Sequence, residues 1–289
     1  MDQKILIPER VTVKTGKGGL RYFELLCNGA EAHVYLHGAH VLHYKPAGQS
    51  PVLWHSQKSY FEANKPIRGG IPVCWPWFGP HPSDTTQPVH GFVRLAEWEP
   101  VASSATAKET TLTLRYPDLE KIPAAVELTV VLADSLTVTL TTINTGAAPM
   151  PLSEAFHTYF AISDIRNVSV TGLEGDQYID MMQPGQPVAT QTGAITFDRQ
   201  VERRYIHTPR ICAVVDPGMK RRIVIEKQGG QSTVVWNPWI EKAAAMPDYG
   251  DDEYPEMVCV ETANCGPNTL NLDPGKTHAV TARIRVAAL

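Results

Sequence analysis

Along most of the chain, apolar and polar residues alternate one for one. The stretch "SLTVTLTTIN" sets Leu136, Val138 and Leu140 on one face and Thr137, Thr139 and Thr141 on the other. Period-two alternation in β-branched residues predicts a strand with one face in a core and one in water. "TLTLRY" (111–116), "VELTVVL" (126–132) and "RRIVIEK" (221–227) read the same way, with the turn signals "NTGAAP", "DPGMK" and "DPGK" between such runs. Helical periodicity is scarce, and "IEKAAAM" (240–246) predicts one short helix. Many strands and few helices predict an all-β fold, a large antiparallel β-sandwich. No repeat or linker divides the chain, so residues 1–289 are expected to form a single domain.

Two long stretches break the alternation, about 57–88 and about 238–256. The first contains "IRGGIPVCWPWFGPH" (67–81), with prolines at 72, 76 and 80. Each proline removes a backbone donor and fixes φ, which predicts a loop rather than a helix or central strand. Long irregular segments in compact domains are usually functional or disordered. Their aromatic content argues against disorder, so both are expected to fold over one end of the sandwich.

Composition narrows the function classes. Of 289 residues, 43% are hydrophobic, enough for a large core. A net charge of −4 offers no field for nucleic acid. The start "MDQKILIPERVTV" lacks a signal-peptide pattern, and no apolar run approaches the ~18 residues of a membrane span. The five cysteines, Cys27, Cys74, Cys212, Cys259 and Cys265, are odd in number and scattered. Reduced, mostly buried thiols in a cytoplasmic protein are the expectation.

Four constellations carry candidate chemistry. "HVYLHGAHVLHY" holds His33, His37, His40 and His43. Gly38 and Ala39 suggest a bend between two strands, and no metal-ligand spacing occurs, so edge or loop histidines on paired strands outweigh a metal site. In "PVHGFVRLAEW", His90 and Arg94 share strand parity. They belong either to a strand with a surface arginine or to a cavity shared with Arg68, where two arginines would suit an anionic group such as phosphate. In "PLSEAFHTYFAIS", His157 sits in an apolar run, as a core residue or a catalyst, with Glu154 a candidate to orient it. In "MVCVETANC", Val258 and Val260 share one face, and Glu261 shares the other with Cys259. A carboxylate beside buried strand residues must be paired, protonated or functional. A histidine and a glutamate meeting in a cleft would supply an acid and a base.

"IRGGIPVCWPWFGPH", "HGFVR", "LSEAFHTYF", "WNPWIEKAAAMPDYGDDEY" and "VCVETANC", in that order, resemble the hexose-6-phosphate mutarotases of the aldose 1-epimerase (galactose mutarotase-like) superfamily. "LHGAHVLHYKPAG" resembles that family's early strand pair, and the match runs from about residue 30 to 265. The resemblance implies a galactose mutarotase-like β-sandwich, no metal, and particular roles. His157 matches the catalytic acid and Glu261 the catalytic base. Arg68 and Arg94 match substrate-binding positions, toward the phosphate, and His90 matches a histidine in the pocket. Glu202, in "VERRY", stands where relatives carry the aspartate of "DRVY" and is expected to hold sugar hydroxyls. There are departures. Val89 replaces a glutamine, with Gln87 two residues earlier as a candidate substitute, and Leu95 replaces an asparagine. Trp75, Trp77 and Phe78 are expected to stack on the sugar or pack beneath it, with Gly69 and Gly70 letting the backbone pass close to the ligand.

The implied reaction is interconversion of α and β anomers of a hexose 6-phosphate by ring opening and reclosure. Reference pKa values of about 4.3 for Glu and about 6.5 for His suggest an ionised Glu261 and a partly protonated His157 at neutral pH. No cofactor is expected, and a monomer acting on a small sugar phosphate is the expected form. Two rivals remain open here: a non-catalytic carbohydrate-binding sandwich, and a mutarotase of unphosphorylated aldoses.

Overall fold

The alternation read from the sequence reappears as alternating burial. In the computed structural model, which describes residues 3–118 and 122–289, the paired strands Ala124–Leu132 and Leu136–Asn144 bury Leu128, Val130, Val138 and Leu140. Their register sets Leu128 opposite Leu140 and Thr129 opposite Thr139, so both strands turn the same face inward.

Two eight-stranded antiparallel sheets dominate. One runs in the spatial order Ser169–Thr171, Cys212–Asp216, Arg221–Gln228, Thr277–Ala288, Leu136–Asn144, Ala124–Leu132, Thr110–Arg115 and Glu99–Ala105. The other runs Val188–Thr190, Gln177–Asp180, Val201–Tyr205, Ser232–Asn237, Met257–Asn264, Glu154–Phe156 and Val73–Cys74, with Tyr159–Ala161 also pairing on Met257–Asn264. A four-stranded meander, Val11–Thr15, Arg21–Cys27, Ala30–Tyr35 and His40–Lys45, and the pair Met150–Leu152 with Leu270–Leu272 complete the sheets. One apolar cluster draws on all four, including Phe23, Val130, Leu152, Val258 and Ile284.

The strand Met257–Asn264 is buried on both faces. Val258 and Val260 face the core, as their parity predicts. Its other face, carrying Cys259 and Glu261, is roofed by the two irregular segments. A short helix, Trp239–Ala244, overlaps the predicted 240–246 region and starts one residue before it. Asn237 anchors this segment, its side-chain amide donating to the carbonyls of Tyr254 and Met257 while its oxygen accepts from the Trp239 N–H.

Several expectations are corrected. "PVHGFVRLAEW" is not a strand: His90 sits in a turn at φ +65° and Val93–Leu95 is a 3-10 turn. Strand parity therefore says nothing about His90 and Arg94, and their convergence comes from the turn. Trp75 is a core residue, its indole N–H donating to Thr142 Oγ1 at 3.0 Å. Trp77 donates to the Pro88 carbonyl at 2.9 Å and packs edge-on to Phe92, so the loop's tryptophans hold it together and only Phe78 reaches the cleft. A Cβ at Gly69 (φ +117°) would overlap His55 and the Trp54 carbonyl, and one at Gly70 (φ +60°) the Val41 carbonyl. These glycines admit neighbouring backbone rather than a ligand.

His33 and His43 do lie on paired strands, opposite one another with ring centroids 4.7 Å apart. His37 lies in the connection and His40 on the edge strand His40–Lys45, but both are buried and donate to the carbonyls of Lys65 and Gly69. All five cysteines are buried and unpaired. Among the described residues no helix is long and apolar enough to cross a membrane.

Candidate active site

Burial on both faces leaves a strand few ways to carry charge, and Glu261 is nevertheless in the middle of one. Its side chain lines a cleft of about 490 Å³ together with Arg68, His90, Arg94, His157 and Glu202. All six residues singled out in the sequence thus border one space. A larger cleft of about 570 Å³, lined in part by Cys27, Lys108 and Asp134, lies among other residues.

Two rows of cross-strand neighbours build the floor. Arg204 pairs with Val234, which pairs with Glu261; Glu202 pairs with Trp236, which pairs with Cys259, which pairs with Tyr159. His157 follows the strand Glu154–Phe156, its backbone N–H donating to the Pro72 carbonyl. The imidazole stacks on Tyr159, with centroids 4.8 Å apart and planes within 8°, and meets Trp236 edge-on at 5.8 Å. Its Nδ1 lies 3.4 Å from Glu261 Oε1. Both His157 Nδ1 and Glu261 Oε2 are buried without a hydrogen-bond partner. Buried polar atoms are rarely left so, and here both belong to one facing pair.

Glu154 does not orient His157. Its Oε1 accepts from Asn264 and lies 2.8 Å from His278 Nε2, because an odd spacing turns residues 154 and 157 to opposite sides.

Electrostatics correct a second expectation. Burial pushes Glu261 well above the ordinary carboxylate range; Glu202 adds to this and Arg204 opposes it. Burial, then the charges of Arg68 and Arg94, push His157 down to about 3. Both shifts run toward a protonated Glu261 and a neutral His157, and away from the ionised pair that reference values suggest. His90 is likewise held neutral by burial and Arg94. Its Nδ1 accepts from the Gly79 N–H at 3.1 Å, which leaves its proton on Nε2.

The cations differ in how far they are already committed. Arg68 makes a two-point contact with Asp248, at 3.1 and 3.2 Å, and donates to the Tyr159 hydroxyl at 2.9 Å. Arg94 donates to the Val89 carbonyl at 2.7 Å, and its Nε is buried without a partner. Val89 thus borders the cleft and braces Arg94 through its backbone. Gln87 is turned away to Asp84 and takes no part.

Sequence reading missed Arg204, Lys242, Trp236 and Asp248. Arg204 shares period-two parity with Glu202 and was legible in "VERRY". Lys242 reaches the cleft from the short helix, and Asp248, in the irregular segment beyond it, holds Arg68 at its border; no local pattern announces either.

Among the described residues, two groups place three ligand-type atoms within 4.8 Å of one another: His157, Cys259 and Glu261, and Glu24, Glu31 and His33. In the first, burial and Glu261 push the Cys259 thiol well up, so it keeps its proton and makes a poor thiolate ligand. In the second, Lys14 holds Glu24 at 2.5 Å and Glu31 meets His33 at 2.6 Å, so the donors are already paired.

An antiparallel supersandwich of the galactose mutarotase-like type, with a buried histidine–glutamate pair in a cationic cleft, defines the class of protein. The chain belongs to the aldose 1-epimerase family, whose model matches residues 24–285, and with it to the sugar epimerases among the isomerases. It is 36% identical over 260 residues to a Cenchrus ciliaris protein provisionally named a glucose-6-phosphate 1-epimerase, covering 85% of this chain and 78% of that one. It superposes with a TM-score of 0.90 on the crystal structure of a provisionally assigned mutarotase from Salmonella typhimurium, at 27% identity over 99% of this chain and 96% of that one. A galactose mutarotase-like protein from Clostridium acetobutylicum shares the fold, with a TM-score of 0.72 at 14% identity and full coverage of both chains.

Proposed function

We propose that the protein interconverts the α and β anomers of a hexose 6-phosphate, with D-glucose 6-phosphate the favoured substrate. The observation that carries this reading is the facing of His157 and Glu261 at 3.4 Å in a cleft bordered by Arg68 and Arg94. Glu261 takes the proton of the C1 hydroxyl as His157 donates one to the ring oxygen. The C1–ring oxygen bond breaks, C1 becomes an aldehyde, and the ring oxygen becomes a hydroxyl. Rotation about C1–C2 and reclosure, with both protons returned, inverts C1. After ring opening the pair is neutral, with Glu261 protonated and His157 not. Burial shifts both groups in that direction, and so toward the open-chain species.

A phosphate dianion on Arg68 and Arg94 would offset the two charges that hold His157 down, and so help the acid to be protonated when substrate is bound. His90, with its proton on Nε2, and Glu202 would hold sugar hydroxyls. Transfer of two protons within the site needs no cofactor. The continuous core from Ile5 to Ile284 supports reading the whole chain as one domain.

Anomer-resolved NMR of glucose 6-phosphate tests the reading. Wild-type protein is expected to speed exchange between the two C1 signals, and Glu261→Gln to return it to the spontaneous rate. Full exchange by Glu261→Gln would remove Glu261 as the base.

A further inference from the structure

Arg204 stands two strands from Glu261 in one straight row, with Val234 between them. Adjacent strands are about 4.8 Å apart, so the two backbones are about 10 Å apart, and a valine leaves room for a long side chain to cross. Arg204 and Glu261 border the same cleft. The guanidinium is anchored from behind by Glu202, Nη2 to Oε1 at 2.9 Å, and lies over the Phe78 ring at 5.4 Å. Its Nε is buried without a partner. Arg204 is therefore fixed by its own strand neighbour, with a donor unspent beside the cleft.

We infer that Arg204, held by Glu202, is a positioning residue for the proposed base, its guanidinium reaching across Val234 to keep the Glu261 carboxyl ready to accept the C1 hydroxyl proton. This rests on Glu261 being the base. The groups that face Glu261 are His157, Cys259 on its own strand, Glu202 and Arg204 from Val201–Tyr205, the Tyr159 phenol, and the thiols of Cys74 and Cys265. Arg68, Arg94 and Lys242 border the same cleft, but Arg204 is the cation whose charge acts on Glu261. Burial and Glu202 both favour the protonated carboxyl, and Arg204 opposes them. Without it, the base would carry its proton over more of the neutral range. A second anionic ligand group at Arg204 is the weaker alternative, since it would sit against both Glu202 and Glu261.

The test follows the carboxyl directly. Protein labelled with [δ-13C]glutamate is titrated by NMR, and the Glu261 signal is the one missing from Glu261→Gln. Arg204→Gln is expected to raise the Glu261 midpoint by about one unit, the scale of a unit charge at this separation in a partly screened site. Arg204→Lys should stay close to wild type, and Glu202→Gln should move the midpoint down. The acidic limb of kcat/KM for glucose 6-phosphate should shift with each. An unmoved Glu261 signal in Arg204→Gln overturns the inference even if anomer exchange is fast. If Arg204→Gln does not fold, Arg204→Met, which keeps the apolar stem beside Phe78 and removes the charge, replaces it, and an unmoved Glu261 midpoint there overturns the inference equally. Shifts in the expected directions in a protein without exchange activity would uphold the electrostatic role and reject the functional reading instead.

Discussion

Glu261 and His157 face each other with a buried oxygen and a buried nitrogen unpaired, an arrangement that costs stability unless something is gained from it. The cost has a testable sign. A carboxyl whose proton affinity is raised by folding favours the folded state most at low pH and loses that contribution as pH rises through its folded pKa. Glu261→Gln should therefore abolish exchange while melting no lower than wild type at pH 8, as thermal melts will show. His157→Asn should lose most activity as well. Because the two exchange protons in one step, the double variant should be little worse than the poorer single variant in the same NMR assay. Arg94 is the cleaner test of phosphate recognition, since Arg68 also ties Asp248 to Tyr159. Hydrogen bonds to charged groups are worth about 1.5–3 kcal/mol, so Arg94→Ala should cost roughly ten- to a hundredfold in kcat/KM for glucose 6-phosphate and little for glucose. Arg68→Ala should add a drop in melting temperature. Steady-state kinetics on both sugars, with melts of both variants, separates these outcomes.

The two irregular segments make the cleft, and their construction explains what the sequence could and could not convey. Proline content and broken alternation marked both segments, and the parity of Val258, Val260 and Glu261 placed Glu261 on the roofed face. What stayed hidden was long-range. The Gly69–Gly70 step touches Trp54, His55 and Val41 through backbone, and such contacts leave no periodic trace. Whether the loop tryptophans stack on a ligand or pack beneath it stayed open, because composition cannot tell a ring facing a cavity from one facing the core. Asp248 lies 180 residues from the arginine it holds. Gly70→Ala puts a Cβ at φ +60° onto the Val41 carbonyl, and strain of this kind costs about 1–3 kcal/mol. An unfolding free energy from urea titration lower by that amount, with weakened glucose 6-phosphate use because Arg68 is displaced, is the expected result.

For the whole molecule, the alternating strands carried the fold class, while the buried histidines set a property that sequence left open. Burial pushes His40 and His157 each down to about 3. Unfolded histidines take up protons near pH 6.5, so between there and about pH 3 the unfolded chain binds more protons than the native one. Stability should therefore fall with pH across that window, by up to about 1.4 kcal/mol per pH unit for each such histidine. His40→Gln, which keeps a donor for the Gly69 carbonyl, should flatten the decline seen in melts between pH 7 and 4. A slope unchanged in that variant would mean that His40 titrates normally.

The central claim is that this sandwich turns over the anomers of a phosphorylated hexose, and exchange spectroscopy on the C1 protons of glucose 6-phosphate and of glucose, each with and without wild-type protein, tests it most directly. The account predicts exchange cross-peaks between the α and β signals of glucose 6-phosphate at catalytic protein concentrations, and much slower exchange for glucose. Equal acceleration of both sugars would contradict the phosphate assignment, and no acceleration of either would contradict the account as a whole.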